Sequence, residues 1–200
     1  MRIILLALIV SACAMAQNSP QRPPASSTDA MYQNATASAE KKIGYITQNA
    51  IKAQPDQRPT ELSELEVNAY MNSGKVELPK GVTQPHFSGS NNQVTATMRV
   101  DFDTVTGGAG GGINPLMRLF SGTHDVEVNA NAVGVRGEGR VHINSVAIDG
   151  INVPKAALEY FVDKYIKPKY PELGIDSTFD MPGRVDSAVV GDHKVTIIQK

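Results

Sequence analysis

Residues 92–105, NQVTATMRVDFDTV, decide how the rest of the chain is read. Val94, Ala96, Met98, Val100 and Phe102 take every second position, and Thr95, Thr97, Arg99, Asp101 and Asp103 fall between them. Successive side chains of a strand point to opposite faces, so this alternation predicts a strand with one dry and one wet face. A sheet wetted on one side is antiparallel, because the crossovers of a parallel sheet cover both faces. Residues 81–88 predict the preceding strand, joined to this one across Gly89-Ser90-Asn91. Residues 123–136 and 139–149 alternate in the same way and make a second hairpin about Gly137-Glu138. The apolar phase slips after Ile143 and resumes at Val146 and Ile148, which places a bulge near Asn144-Ser145. Residues 184–190 and 194–199 make a third hairpin across Gly191-Asp192-His193.

One helix interrupts these strands. Pro154 at its first position starts it and Pro168 stops it. Leu158, Phe161, Val162, Tyr165 and Ile166 fall at i, i+3, i+4, i+7 and i+8, a complete apolar face about 20 Å long. Two shorter helices are expected upstream. Residues 37–53 carry a narrow apolar stripe of Ala39, Ile43, Ile46, Ala50 and Ala53. Residues 62–72 open on a capping box, Ser63 with Glu66, and Gly74 follows their end. The expected fold class is α+β: an antiparallel sheet of long strands packed on one long amphipathic helix, with short helices near the N-terminus.

The chain begins with a targeting segment. Arg2 precedes an apolar run at 3–10, IILLALIV, far shorter than the roughly 20 residues a membrane-spanning helix needs. Two processing routes are open. Ala14-Met15-Ala16 forms an A-x-A site that ends a signal peptide at residue 16. Val10-Ser11-Ala12-Cys13 resembles a bacterial lipobox, in which the signal ends at residue 12 and Cys13 is acylated. Both routes imply export, to the periplasm or to a membrane-anchored lipoprotein. Residues 17–36 are rich in Pro, Ser, Gln and Asn and read as a flexible tether, which leaves 37–200 as a single domain.

Composition narrows the function classes. The 200 residues carry 19 Lys+Arg against 20 Asp+Glu, so the basic excess expected of a nucleic-acid binder is missing. A single cysteine precludes an intramolecular disulfide and a multi-thiolate zinc site. His86, His124, His142 and His193 are dispersed without metal-ligand spacing and read as surface residues, so no metal and no cofactor is expected. Asp101 and Asp103 share the wet face beside Arg99, where nothing raises a carboxyl pKa for acid catalysis. The stretch GGAGGG at 107–112 lacks the Lys-Ser/Thr of a phosphate loop. No G-x-S-x-G elbow or other catalytic motif is present, and the chain reads as a non-enzyme. Apolar material stands out instead. Leu116, Met117, Leu119 and Phe120, together with Met98, Val100 and Phe102 of the strand and the five helix residues, suit either one filled core or a groove with the Gly-rich stretch as its gate.

The order of these elements resembles a family. A small helix with Glu66-Val67-Asn68-Ala69-Tyr70-Met71 is followed by long amphipathic strands. Then Val146-Ala147-Ile148-Asp149-Gly150-Ile151-Asn152-Val153-Pro154 leads straight into the helix, and Arg184-Val185-Asp186 with Gly191-Asp192-His193-Lys194-Val195-Thr196-Ile197 closes the chain. This resembles bacterial exported proteins related to the tubular lipid-binding (TULIP) superfamily, over roughly residues 60–199. The resemblance implies a strongly curved antiparallel sheet wrapped around the long helix, with acyl chains in the seam. It also implies that Leu158, Phe161, Val162, Tyr165 and Ile166 form the helix's inner face. The 107–112 stretch has no counterpart in that pattern, and the chain holds about one repeat of the module.

The expected function is therefore an exported module that binds lipid or another long apolar molecule between sheet and helix. The alternative is a fully packed structural or interaction domain that meets an envelope protein. Any membrane contact is expected only through an N-terminal lipid anchor. The processing question has a direct test. Cleavage after Ala16 predicts that the protein with Cys13 intact fractionates as soluble; membrane retention that Cys13→Ser abolishes identifies the lipobox instead.

Overall fold

The computed structural model describes residues 27–108 and 120–200. The signal, Cys13 and the first half of the expected tether lie outside the described residues, as do most of the Gly-rich stretch and Leu116, Met117 and Leu119. The elements in chain order are α1 (Ser27–Ala50), β1 (Thr60–Ser63), α2 (Glu64–Met71), β2 (Val82–Ser90), β3 (Gln93–Asp101), α3 (Phe102–Thr106) and β4 (Thr123–Val135). They continue with β5 (Glu138–Ile148), β6 (Ile151–Asn152), α4 (Lys155–Phe161), β7 (Asp176–Asp180), β8 (Val185–Gly191) and β9 (Lys194–Gln199). The protein is α+β, with the nine strands of the described residues in one antiparallel sheet.

The β4–β5 hairpin is the spine of that sheet. On the edge of β4 away from β5, residues 123–131 pair with β3, and Val133 and Gly134 pair with Val189 and Ala188 of β8. The outer edge of β5 is shared in the same manner, β7 lying along residues 138–142 and β6 against Ala147 and Ile148. The β2–β3 and β8–β9 hairpins therefore meet end to end. The Asn92 N–H donates to Val190 O at 2.8 Å, and the His193 N–H donates to Gly89 O at 2.9 Å.

One face of the spine serves both halves. Val126, Val128, Ala130, Ala132 and Gly134 share a face of β4 by the two-residue period. At one end, Val126 belongs to a buried cluster with Val146, Ile148, Phe102, Phe120 and the α4 residues Ala157 and Phe161. At the other end, Gly134 lies beneath Met181 and Ala188, members of a second cluster with Ile43 and Ile46 of α1, Leu62, Phe179 and Ile197. The bulge expected near Asn144-Ser145 is present. Asn129 faces Ser145 while Ala130 faces Ile143, so Asn144 is the extra residue that keeps Val146 and Ile148 on the apolar side.

Several expectations need correction. The segment 27–36, read as tether, is the first part of α1, a helix of 24 residues that buries Ala35, Ala39, Ile43 and Ile46. The prolines that suggest a tether stop at Pro24, and the Ala, Gln and Asn residues beyond them tolerate a helix. The longest helix on the sheet is thus α1. The expected helix at 154–168 is α4, seven residues long, continued by a π-helical turn at Val162–Ile166 in which the Lys167 N–H reaches Val162 O at 2.9 Å. Phe102, placed by alternation in the long strand, opens α3, because Asp101 caps that helix through the N–H groups of Asp103 and Thr104. Leu62 belongs to a short strand, β1, ahead of the capping box; β6 has two residues, too few to show a period, and β7 alternates in burial but carries Phe179 as its one apolar side chain.

Side-chain amides close this architecture. Asn68 of α2 donates to Phe87 O and accepts from the Phe87 N–H, both at 2.7 Å, so α2 occupies the free edge of β2 as a neighbouring strand would. Asn49, fully buried at the end of α1, donates to Asp56 O at 2.7 Å and to Gln199 Oε1 at 2.9 Å, and it accepts from the Asp56 N–H. Gln199 in turn donates to Ile46 O and Gly183 O. This network fixes α1 to the last strand. Asn49→Ala leaves buried groups unpaired and is expected to cost about 3 kcal/mol, seen as a fall of several degrees in the thermal midpoint. Wild-type stability in that variant would show that α1 docks through its apolar stripe alone.

Candidate functional site

Two places on the molecule combine apolar surface with organised polar groups. The first is the seam between α4 and the β3–β4–β5 half of the sheet. Four aromatic rings fill its centre. Phe120 and Phe161 stack with centroids 4.3 Å apart, Phe102 meets both edge-on at 5.5 and 5.6 Å, and Tyr165 tilts against Phe161 at 5.3 Å. These are favourable aromatic geometries at contact distance. Phe102, Phe161 and Tyr165 come from the ends of regular elements. Phe120, only 1% exposed, has 3₁₀ backbone geometry and stands between α3 and β4 in the chain.

Of the residues expected to line a groove, Val100, Phe102, Phe120, Phe161 and Tyr165 are brought together in this cluster, with Met98, Leu158 and Ile166 half-buried against it. Val162 is buried on the same helix but lies outside the cluster. Leu116, Met117 and Leu119 are outside the described residues. Alternation and helical spacing identified most of the seam because both periods were intact. Val153, buried just before Pro154, went unassigned, and Ala157, which the helical wheel turns toward the sheet, completes the face.

At the rim of the seam, His124 of β4 bonds through Nδ1 to Asp149 Oδ2 at 2.5 Å and through Nε2 to Ser121 O at 2.7 Å. Its ring lies 6.1 Å from that of Phe102. The hydrogen bond to Asp149 raises the imidazole pKa, with partial burial opposing it and the Ser121 carbonyl adding to it. The same bond lowers the Asp149 pKa. An Asp–His pair of this orientation is how a general base is positioned, but here the second nitrogen is spent on a backbone carbonyl rather than aimed at a reactive group. The other three histidines are exposed, as expected, and two of them carry partners: His142 meets Asp176 at 2.5 Å and His193 meets Glu64 at 2.9 Å. Among the described residues, no group of three or more His, Cys, Asp or Glu is placed to hold a metal ion.

The second place is an open depression of about 740 Å³ between α1 and α2, lined by Ala30, Met31, Asn34, Leu65, Lys42 and Glu66 among others. Glu66 is its anchor. Its carboxylate accepts from Lys42 Nζ at 2.6 and 2.8 Å, from Ser38 Oγ at 2.5 Å and from the Ser63 N–H at 2.7 Å. Burial opposes the charged form, yet these donors together outweigh it and hold the pKa down to about 2. Every oxygen of Glu66 is thus committed to joining α1 to α2, which makes the group structural.

Comparison with known proteins adds no relative: no family model, curated protein or solved structure matches the chain. Among the described residues, no helix is long and apolar enough to cross a membrane.

The Glu66 junction sets an acid limit. Its folded pKa lies below the ordinary glutamate value, so its contribution is complete above about pH 4.5 and is lost as pH falls toward 2. Integrated over that window it amounts to about 3 kcal/mol. The stability difference between wild type and Glu66→Gln is therefore expected to be largest at neutral pH and to vanish toward pH 2. A difference independent of pH would remove the carboxylate from the account.

Proposed function

We propose that this protein is an exported, non-enzymatic module that takes up a long apolar molecule, such as a lipid acyl chain, in the seam between α4 and the sheet. The observation that carries this reading is Phe120. It is carried on a 3₁₀ turn ahead of β4 rather than on a strand or α-helix, and it packs against both Phe102 and Phe161. A ring carried on a single 3₁₀ turn moves at lower cost than one held in a strand ladder or a longer helix, because fewer backbone hydrogen bonds go with it. Moving Phe120 outward opens a channel with apolar walls and polar groups, His124 and Asp149, at its rim. The π-helical turn at Val162–Ile166 supports the same reading, since such turns are rare and concentrate at functional sites. On this reading the sheet wraps α4 as in the TULIP-related proteins that the sequence resembles.

A second reading has its own support. Val133 and Val189 face each other in register on the outer side of the sheet, 39% and 44% exposed, with Val135 beside them at 52%. An exposed apolar strip of this kind suits a packed domain that meets an envelope protein.

Ala157 separates the two readings. It is 5% exposed on the seam face of α4. Ala157→Phe is expected to retain the fold while abolishing uptake of a fluorescent fatty acid, the added ring occupying the channel. In a closed core the same change costs about 1–3 kcal/mol with no uptake to lose. If the wild-type protein takes up no fatty acid and releases no lipid on organic extraction, the interaction-domain reading replaces the first.

A further inference from the structure

His124 satisfies two acceptors at once. Asp149 Oδ2 and the Ser121 carbonyl can only accept, and a neutral imidazole carries a single N–H. Both bonds, at 2.5 and 2.7 Å, therefore coexist only when the ring is an imidazolium. The second bond matters because of what Ser121 carries. Phe120 precedes it, stacked on Phe161, and Gly122 follows it, accepting the Phe102 N–H at 2.8 Å. Residues 120–122 are thus tied down at three successive positions, and one of the ties depends on a proton.

We propose that His124 is a proton-controlled latch on the α4 seam: as imidazolium it holds Ser121, and with it Phe120, against the sheet, and as neutral imidazole it releases residues 120–122. The surroundings are arranged for it. Asp149 comes from the turn between β5 and β6, and Asp103 of α3 adds a second negative charge. Asp149 is itself kept ionised by His124, by the Asp125 N–H at 3.0 Å and by the charge of Arg99 on β3. Arg99 in turn lies 3.8 Å from Asp125. Because the folded pKa is raised, the tie is complete below the ordinary histidine value of about 6.5 and is lost as pH rises through the folded value. The seam is shut below that ordinary value and loosens once pH passes the folded value above it. The link to ligand uptake rests on the function proposed above; the latch itself does not.

The test uses the purified full chain without added lipid, followed by NMR from about pH 5.5 to about pH 8.5. The His124 ring is expected to titrate above about 6.5, and the protection factor of the Phe102 amide to fall about tenfold with the same midpoint. His124→Gln removes that fall. His193→Gln, which breaks a different raised histidine pair with Glu64, leaves it in place. Asp149→Asn, a milder change, moves the midpoint to lower pH and serves if His124→Gln does not fold. A Phe102 protection factor that stays level while His124 titrates overturns the latch, and so does a fall that persists in His124→Gln or keeps its midpoint in Asp149→Asn. Fatty-acid uptake is measured separately. A pH-dependent release without uptake upholds the latch and removes the ligand; uptake without the release does the reverse.

Discussion

The ladder between β4 and β5, running from Val126 opposite Ile148 to Val135 opposite Glu138, holds two half-sheets to one backbone. The α1 half has β1, β9, β8 and β7 beside the spine, and the α4 half has β2, β3 and the two-residue β6. Register in the ladder is set by a single extra residue, Asn144. Without it, Val146 and Ile148 would turn toward solvent, and the cluster beneath α4 would lose its floor while the cluster beneath α1 kept its own. Close approach at the α1 end adds a second constraint. A Cβ on Gly139 would sit 2.5 Å from the Phe179 ring, and one on Gly134 would sit 2.5 Å from Met181 Sδ. The spine is therefore bulged where it changes phase and bare where β7 and the residue after it cross over.

What the sequence made legible follows from where its periods survive. Val94 to Val100 alternate without interruption, and β3 is found there. The slip after Ile143 marked the bulge within one residue, because a phase change in an amphipathic strand has no other cheap explanation. The Ser63–Glu66 capping box was read correctly, and both of its hydrogen bonds are present. The failures are equally physical. Phe102 continued the alternation, but Asp101 turned the chain into α3, a local hydrogen-bond preference winning over the hydrophobic period. The start of α1 was hidden because residues 27–34 are all exposed and bury nothing that would show a stripe. Strands as short as β1 and β6 have no period to read.

The candidate seam was legible in part. Both faces that form it, Met98 to Phe102 and Leu158 to Ile166, come from unbroken patterns, yet their meeting at four aromatic rings depends on Phe120, whose position no period sets. The histidines were the least legible. His124 and Asp149 stand 25 residues apart, and only the β4–β5 register brings them to 2.5 Å. The two ends of the molecule are held in different ways as a result. The α1 end closes on uncharged amides, Asn49 and Gln199, and on the fully committed carboxylate of Glu66. The α4 end closes on aromatic contacts and on the imidazole of His124, whose pKa its partners raise, whereas the Glu66 carboxyl at the α1 end is held down to about 2.

Native-state hydrogen exchange as a function of low denaturant concentration tests that asymmetry most directly. The Phe102 amide, bonded to Gly122 O, and the Lys167 amide, bonded to Val162 O, report the α4 seam. Amides of β9 paired with β8, around Ile197, report the α1 half. Opening of the seam as a unit predicts that the first group exchanges through a fluctuation of small denaturant dependence, well below the free energy of global unfolding, while the second exchanges only with the whole molecule. If both groups exchange with one free energy and the full denaturant slope, the domain opens only by unfolding, and the seam is a core rather than a site.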